Sequence, residues 1–350
     1  MARVPVPSEL TESAPWPSHQ DTLAEHERPA LRVDARSPAD PAHGVLATVL
    51  AAATALGRPD LVDRGPSALL PFRWLGGTSR AESWRIVNAP DAPERDRGNV
   101  RVNEVDGFQF GHLVVPAAGA AIDTVTELAY REVLAATTES GHLHLLRVWN
   151  YFGAINTGDG DDESYRRFCI GRARAIPAEP TTGFAAATAI GIPGEAAELH
   201  LSWLAARRRG VPIENPRQVS AWEYPRDYGP VAPGFSRAML IEWNEPPLLL
   251  VSGTASVVGH ESRHDECLAQ LDEALVNLDH VIARAAARLG TSSRAGAGTV
   301  LRVYLRDPLD AAAVSARLLE RFGASMPFML LHGDICRREL LVELEAVHAF

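Results

Sequence analysis

The clearest feature of the chain is a pattern of apolar positions that occurs twice after residue 105. In the first copy, residues 108–116 predict a strand, residues 123–141 predict a helix with Asp123 at its N-cap, and residues 144–152 predict a second strand. In the second copy, residues 248–252 predict the strand, and leucines at helical spacing over 262–289 predict a long helix. The strand that follows, at residues 300–304, matches the first copy position by position.

Both copies continue in the same way. An acidic turn and a short helix follow the second strand, at residues 165–172 in the first copy and 309–322 in the second. A β-rich run then closes each copy, at residues 182–192 and 340–347. The order predicts a duplicated α+β unit of about 110 residues. The alternative is a chance similarity between amphipathic segments.

The part of the chain before the first copy has a different composition. Residues 1–43 are polar and rich in proline, which predicts an irregular arm. An Ala- and Leu-rich stretch at residues 45–56 predicts a short helix. We therefore expect an arm at 1–43, a first domain with extra helices at 44–210 and a second domain at 211–350, with 44–100 as a degenerate third copy.

The basic residues narrow the chemistry, because all 34 of them are arginine. Without lysine there is no Schiff-base enzyme and no P-loop or kinase lysine. A GC-rich genome explains the bias, but the exclusions stand. The net charge of −10 argues against nucleic acid as a partner. No apolar run is long enough to span a membrane, and no signal peptide is recognisable. Three cysteines far apart suit a reducing cytoplasm better than a disulfide framework or a zinc site.

The last strand contains the first candidate for chemistry. From residue 340 the positions alternate, so that Glu343 and Glu345 share one face and Val342 and Leu344 share the other. A carboxyl group on a buried strand has a raised pKa and can donate a proton near neutral pH. The alternative is a solvated strand face. Cys336 lies seven residues before Glu343, so both reach one pocket only if a bend intervenes.

Arginines within apolar or motif-like segments are the second kind of candidate. Arg147 and Arg302 lie in apolar strands and need an anionic partner, either internal or from a ligand. Arg172 follows a glycine, and Arg306 ends a strand; each has a solvated surface position as its alternative. An aromatic loop at residues 222–230, which contains Tyr224 and Arg226, is either a binding loop or a packed linker.

The pattern HExxH occurs once, at residues 260–264, but neither it nor the HxH pair at 142–144 is part of a recognisable grouping with further metal ligands. There is no GxGxxG after a strand and no GxSxG. We therefore expect no metal and no cofactor, and a chemistry that is acid–base or electrostatic.

Several separated segments resemble the chorismatases. They are LRVWNYFGAIN at 146–156, YRRFCIGR at 165–172, YPR at 224–226, SGTAS at 252–256, GHE at 259–261 and the segment from Cys336 to Glu343. The resemblance covers roughly residues 100–350, and the N-terminal arm matches nothing. The second repeat also resembles the RidA/YjgF family, whose trimeric α+β fold is related to that of the chorismatases. The resemblance implies tandem RidA/YjgF-like units in a pseudo-trimeric arrangement, so that both domains are RidA-like.

The resemblance also implies a substrate and a reaction. The substrate is chorismate, which carries a ring carboxylate and an enolpyruvyl ether with a second carboxylate. Glu343 protonates the enolpyruvyl methylene, and Tyr224 with several arginines, among them Arg147, Arg172, Arg226 and Arg306, holds the carboxylates. No cofactor takes part.

The family has two branches that differ in product. One hydrolyses chorismate to a dihydroxycyclohexadiene carboxylate. The other forms 3-hydroxybenzoate, because the neighbouring ring hydroxyl displaces the ether instead of water. Gly253 and Cys336 are the residue types of the second branch, which predicts a 3-hydroxybenzoate synthase; the Cys336 thiol either fills the space of a water or takes a proton. The hydrolytic chorismatase and a non-catalytic RidA-like ligand-binding protein are the alternatives. We further expect a cytoplasmic monomer of secondary metabolism.

Overall fold

The computed structural model of the chain describes residues 30–35, 45–52, 67–87, 89, 95–97, 99–176, 183–194 and 196–350. Most of the predicted N-terminal arm lies outside these ranges. Its described part is not irregular, because residues 31–35 form a strand. None of the helices in the described ranges is both long and apolar enough to cross a membrane.

The chain begins with short strands. They are β1 (Leu31–Ala35), β2 (Val45–Ala52), β3 (Ser67–Gly77), β4 (Ala81–Ile86) and β5 (Arg95–Arg97). The helix predicted at 45–56 is wrong over 45–52, where β2 pairs in parallel with β3 and antiparallel with β4. A short apolar run has no periodicity that separates a buried strand from a buried helix. Residues 53–56 lie outside the described residues.

The first repeated unit follows. Its elements are β6 (Val100–Val105), β7 (Phe108–Pro116), α1 (Ile122–Glu139), β8 (His144–Gly153), α2 (Ser164–Ala175), β9 (Ala186–Ile192) and β10 (Glu198–Ala206). Ala121, not Asp123, is the N-cap of α1. The Asp123 carboxylate instead receives hydrogen bonds from Arg167 and Arg174 at 3.0 and 3.2 Å, which joins the start of α1 to α2.

The second unit has the same order of elements with short additions. Its elements are β11 (Val211–Ile213), β12 (Ala238–Ile241), β13 (Leu248–Ala255), β14 (Val257–Val258), β15 (Glu261–Ser262), α3 (Cys267–Arg288), β16 (Thr299–Leu305), α4 (Ala311–Phe322), β17 (Phe328–His332), β18 (Asp334–Ile335) and β19 (Val342–Ala349). The long helix therefore starts later than predicted, after the short β14–β15 hairpin.

Strand order confirms the duplication. The first sheet contains the order β9-β8-β10-β7-β6, and the second contains β17-β16-β19-β13-β12. The strands before and after the short helix, β8 and β9 in the first unit and β16 and β17 in the second, are parallel. The last strand of each unit, β10 or β19, is antiparallel to the strands on both sides of it. The predicted match between the closing runs is wrong, because β9 corresponds to β17 and β19 corresponds to β10. Strands β10 and β17 are buried on both faces, so they show no alternation in the sequence.

The N-terminal strands extend the sheet of the second unit rather than that of the first. The order β1-β4-β2-β3-β17 joins them to the second sheet through an antiparallel pair between β3 and β17. The chain passes from the first sheet to the second between β10 and β11. The domain boundaries at 44 and 210 and the pseudo-trimeric arrangement stay predictions.

Three apolar clusters hold these layers together. One packs α1 and α2 against the first sheet, a second packs α3 and α4 against the second sheet, and a third lies between the two sheets. Buried leucines of α3, such as Leu271, Leu275 and Leu278, form the predicted apolar stripe. The layers are therefore helix, sheet, sheet, helix, and any site between the units is formed by both of them.

Candidate active site

A cavity of about 340 Å³ lies between the two units. Its walls come from the start of α2, from residues 218–237, from β13 and from residues 336–343. A smaller cavity of about 50 Å³ adjoins it; the two share Tyr165, Pro233, Phe235, Gly253, Cys336 and Glu343. Residues far apart in the sequence thus meet in one place, as expected for a site at the junction of two units.

Glu343 lies in the wall that both cavities share. Its side chain is on the face of β19 opposite Val342 and Leu344, which pack towards α3 and α4, so the predicted alternation is confirmed. Only 5% of the residue is exposed, so the solvated alternative is wrong. Burial, and next the charge of Glu345, raise the pKa of Glu343 to about 8. The carboxyl group is therefore a proton donor at neutral pH.

Gly253 determines how close that carboxyl group comes to β13. A Cβ atom at this position would lie 2.1 Å from Oε1 of Glu343, closer than any real contact. The strand pairing shifts between Val251 and Thr254, so Gly253 lies within an irregular part of β13. The absence of a side chain here lets Glu343 lie directly against the backbone.

Cys336 lies in the loop between β18 and β19. The loop supplies the predicted bend, with a turn hydrogen bond from the Leu340 nitrogen to the Arg337 oxygen, and it brings Cys336 and Glu343 to the same cavities. Burial, and next the Glu343 carboxyl, raise the pKa of the Cys336 thiol well above its usual range. Cys336 is therefore a thiol rather than a thiolate at neutral pH.

Arg306 supports this loop and does not line either cavity. Its guanidinium donates hydrogen bonds to the carbonyl oxygens of Ile335, Arg337 and Leu340 at 3.1, 2.9 and 2.8 Å, and it pairs with Asp334. Its predicted position among the substrate ligands is thus corrected. Since the loop carries Cys336, Arg306 acts on the cavity only through the backbone that it holds.

Arg147 also lies outside both cavities. It is 2% exposed and pairs with Glu345, with 2.6 Å between Nη2 and Oε2. Arg302 pairs with Glu345 at 3.0 Å and with Glu82 of β4 at 2.5 Å. Of the two predicted kinds of partner, the internal ion pair is correct for both arginines. Arg147 was predicted to bind substrate, and the structure instead places it in a buried ion network.

The aromatic loop contributes Tyr224 to the cavity but not Arg226. Arg226 is mostly exposed, and its guanidinium pairs with both oxygens of Asp161, at 2.8 and 2.5 Å, in the 3-10 turn Gly160–Asp162 of the first unit. Arg226 therefore ties the loop to the turn outside the cavity, which corrects its predicted role. Tyr224 lines the cavity, as does Tyr228, so the loop forms part of the wall.

Arg172 lines the smaller cavity, as its predicted role requires. It is 7% exposed, and its Nε has no hydrogen-bond partner in the described part of the chain. The guanidinium lies 5.5 Å from the ring centre of Tyr130. Among the described residues no carboxylate pairs with it. A buried arginine with unused donors favours an anionic ligand, since an unmade charged hydrogen bond is costly.

The structure adds cavity residues that were not predicted. Arg237 is 5% exposed; its Nη2 donates to the Tyr224 hydroxyl at 2.7 Å, and its Nε has no partner among the described residues. Arg337 lies 4.2 Å from the ring centre of Tyr228, and Tyr165 lines both cavities. The sequence did contain signals: Arg337 follows Cys336 directly, and Arg237 immediately precedes the apolar strand β12.

The arrangement suits the binding and protonation of an anion. It combines one buried carboxylic acid with Arg172, Arg237 and Arg337, which have no carboxylate partner within the described ranges. No three His, Cys, Asp or Glu side chains of the described residues come close enough together to hold a metal ion.

Comparisons with known proteins show which family the chain resembles. A family model described as "Chorismatase FkbO/Hyg5-like, N-terminal" matches residues 82–205. A chorismatase of Streptomyces rapamycinicus is 36% identical over 285 residues, which cover 77% of this chain and 83% of that protein. A 3-hydroxybenzoate synthase of Streptomyces hygroscopicus is 38% identical over 279 residues, which cover 76% and 81%.

A crystal structure of a chorismatase aligns with a TM-score of 0.75 and 30% identity, over 92% of this chain and 98% of that chain. The α+β fold class is therefore confirmed. Partial alignments to YjgF-family structures, such as Rv2704 of Mycobacterium tuberculosis with a TM-score of 0.26, are too weak to argue from. The RidA/YjgF-like character of each unit stays a prediction.

Proposed function

Because this chain belongs to the chorismatase family, we propose that it is an enzyme that converts chorismate to 3-hydroxybenzoate and pyruvate. The observation that carries the proposal is the buried carboxyl group of Glu343, whose pKa is raised. It shares the wall of the large cavity with Arg237 and Arg337, which have no carboxylate partner among the described residues. A dicarboxylate whose methylene must be protonated requires both features.

Substrate binding follows from the arginines. Chorismate has two carboxylates, and the guanidinium group matches a carboxylate with parallel N–H donors. Arg237 and Arg337 line the large cavity, and Arg172 lines the adjoining one, so cationic groups are available at two places. The Nε donors of Arg172 and Arg237 lack partners in the described part of the protein, which favours an acceptor that arrives with the substrate.

The reaction begins with the proton of Glu343. Its transfer to the enolpyruvyl methylene forms a methyl group and leaves positive charge on the enolpyruvyl carbon that is bonded to the ether oxygen. This charge weakens the bond between the ether oxygen and its ring carbon. The neighbouring ring hydroxyl oxygen bonds to that ring carbon, and the ether oxygen leaves as the keto oxygen of pyruvate. The hydroxyl proton returns to the Glu343 carboxylate. The epoxide then opens at its bond to the carbon that first carried the hydroxyl group. The other epoxide carbon loses its proton, the oxygen gains one, and the ring becomes the aromatic ring of 3-hydroxybenzoate, so no water is consumed.

The choice of product is supported by Gly253 and Cys336. Alanine, which the resemblance implies for the hydrolytic branch, would place a methyl group 2.1 Å from Oε1 of Glu343, so the carboxyl group would have to turn. The raised pKa of Cys336 opposes a thiolate base. This favours the interpretation in which the thiol fills space that an attacking water would need.

The test is to incubate the protein with chorismate and to identify the products by mass and UV spectrum. We expect 3-hydroxybenzoate and pyruvate in equal amounts. A dihydroxycyclohexadiene carboxylate would instead assign the hydrolytic reaction. Binding of chorismate without pyruvate release, measured by calorimetry, would identify a non-catalytic ligand-binding protein.

A further inference from the structure

Two glutamates on β19 have opposite surroundings. Among the described residues none donates a hydrogen bond to the side chain of Glu343. Glu345, two residues further along the same face, is 3% exposed and accepts hydrogen bonds from five side chains. The donors are Arg147 at 2.6 Å, Thr188 at 2.5 Å, Arg302 at 3.0 Å, Trp149 at 3.0 Å and Tyr304 at 3.2 Å.

The ion network around Glu345 is balanced in charge. Arg302 lies between Glu82 and Glu345, and Arg147 pairs with Glu345 alone among the described residues. Two arginines therefore face two carboxylates. Since Thr188 bridges Arg147 and Glu345 and also lines the smaller cavity with Glu343, the network lies directly behind the acid.

Charged and titratable groups surround Glu343 from every neighbouring element. They are Glu345 on β19, Arg147 on β8, Arg172, Tyr165 and Cys169 on α2, Arg237 before β12, Tyr224 in the aromatic loop, Tyr304 on β16, and Cys336 and Arg337 in the loop before β19. The large cavity is also lined by the carboxylates Asp159, Glu163, Asp227 and Glu339 and by Arg166, Arg338 and Tyr228. Arg147, Arg237 and Arg337 favour the carboxylate form of Glu343, whereas Glu345 favours the acid form and acts more strongly than any of the three. Of these arginines, only Arg147 has a carboxylate partner among the described residues, and that partner is Glu345.

We propose that Glu345 is a positioning residue for Glu343: it occupies Arg147 behind the cavity and so leaves the acid without a cationic partner. This inference rests on the proposed function, because it explains how Glu343 stays protonated among arginines that bind an anionic substrate. Glu345 touches no substrate and acts through the charge that it adds and the arginine that it holds.

The substitution Glu345→Gln replaces the carboxylate by a neutral amide of nearly the same shape. It therefore frees Arg147 and removes one negative charge beside the acid. An opposite charge nearby lowers a carboxyl pKa by about 1–3 units, so the alkaline limb of the kcat/KM profile should move to lower pH by about one unit or more. Arg147→Met does the reverse, because one of the positive charges that favour the carboxylate form of Glu343 is then removed while Glu345 stays, and the limb should move to higher pH. The double variant should fall between the two.

Glu82→Gln is the matched control. It removes the other buried carboxylate partner of Arg302, in a pair of similar burial, but Glu82 lies on β4 and does not line either cavity. We expect lower stability and an unmoved alkaline limb. If Glu345→Gln and Arg147→Met both lower the rate but leave the limb in place, the role of Glu345 is structural and the proposal is wrong. If Glu345→Gln does not fold, the upward shift in Arg147→Met and its reversal in the double variant decide the question.

A second measurement separates this inference from the proposed function. The infrared carbonyl band of a protonated carboxylic acid, assigned to Glu343 by its loss in Glu343→Gln, can be titrated without substrate. A shift of this titration to lower pH in Glu345→Gln supports the inference even if wild-type protein releases no pyruvate from chorismate. An unchanged titration overturns it even if the enzyme is active.

Discussion

The two repeated units share one strand frame but differ at the positions that make chemistry possible. In the first unit, Ser202 of β10 lies opposite Trp149 of β8. In the second, Glu343 of β19 lies opposite Tyr304 of β16, so Ser202 and Glu343 are equivalent. By the same register Leu204 and Glu345 are equivalent. The two units share the strand frame, but only the second has carboxylates at both positions.

The difference between the two strands determines which carboxylate each of two equivalent arginines can pair with. Arg147 and Arg302 are equivalent, but the residue of β10 that faces Arg147 is Leu204, which has no carboxylate. Arg147 therefore reaches across to Glu345 of the second unit, which pairs with both arginines. At the position of the acid, Ser202 instead bonds to His112, whose pKa burial and next His200 lower to about 4. The first unit thus supplies walls and a counter-charge, and the second supplies the proton.

The largest expected effect comes from removing the acid. Glu343→Gln keeps the shape but has no proton to donate, so we expect pyruvate release to fall by about 10²- to 10⁴-fold while chorismate still binds. Ser202→Ala, at the equivalent position of the first unit, should leave turnover unchanged. Stopped assays for pyruvate and calorimetry with chorismate measure both. Near-normal turnover of Glu343→Gln would remove its assignment as the acid.

The next effect concerns the unpaired arginines of the cavity. Arg237→Met keeps most of the side-chain length but removes charged hydrogen bonds, which should lower kcat/KM by about 10- to 100-fold, mainly through KM. The change is read from initial rates over a range of chorismate concentrations. A KM equal to that of the wild type would show that Arg237 does not hold a carboxylate.

The pH dependence of kcat/KM should reflect the titration of Glu343 in the second unit. The protonated form of Glu343 is the active one, and its fraction falls as pH rises through the pKa, so kcat/KM should decline above about pH 8. The decline should approach about tenfold per pH unit. His112 of the first unit titrates near pH 4 and contributes nothing in this range. A kcat/KM profile that stays flat well above pH 8 would contradict the role of Glu343.

Two conservative changes should alter the product more than the rate. Gly253→Ala forces the Glu343 carboxyl to turn, and Cys336→Ala opens space beside it, so both should raise the proportion of the diene product. The ratio of diene to 3-hydroxybenzoate is measured by chromatography. Unchanged output of 3-hydroxybenzoate in Cys336→Ala would argue against the space-filling role of the thiol.

The smallest effect is expected at the contact between the two units outside the cavity. Arg226→Gln removes the exposed pair with Asp161, and exposed pairs contribute little, so kcat/KM should change by no more than a few-fold. Because the pair is screened by ions, the difference from wild type should shrink as salt is added. A large loss that persists in high salt would instead indicate that Arg226 reaches the substrate.

Sequence alone located part of this site for clear physical reasons. Alternation on the last strand showed that Glu343 and Glu345 share a face, but it left open whether that face is solvated. The structure shows that both residues are buried. Gly253, Cys336, Tyr224 and Arg172 line the cavities, and all of them lie in the segments that resemble the chorismatases.

Other residues were misplaced because a sequence does not show the partner of a charge. An arginine in an apolar strand needs an anionic partner, but the partner of Arg147 is Glu345, which lies 198 positions away in the sequence. Arg306 looked like the exposed end of a strand, yet it supports a loop by bonding to backbone oxygens, which leave no mark on side-chain patterns. Strand β2 was misassigned because a short apolar run does not distinguish a strand from a helix. Strands β10 and β17 were missed because buried apolar runs lack alternation.

The shared cavity has a consequence for the inheritance of the two halves. Tyr165, Arg172 and Thr188 come from the first unit, whereas Gly253 and Glu343 come from the second. The effect of a substitution in one half therefore depends on the residues that the other half contributes to the cavity. Exchange of one half between diverged members of the family would join walls that had not evolved together. The site can therefore stay complete only if the two halves are inherited together.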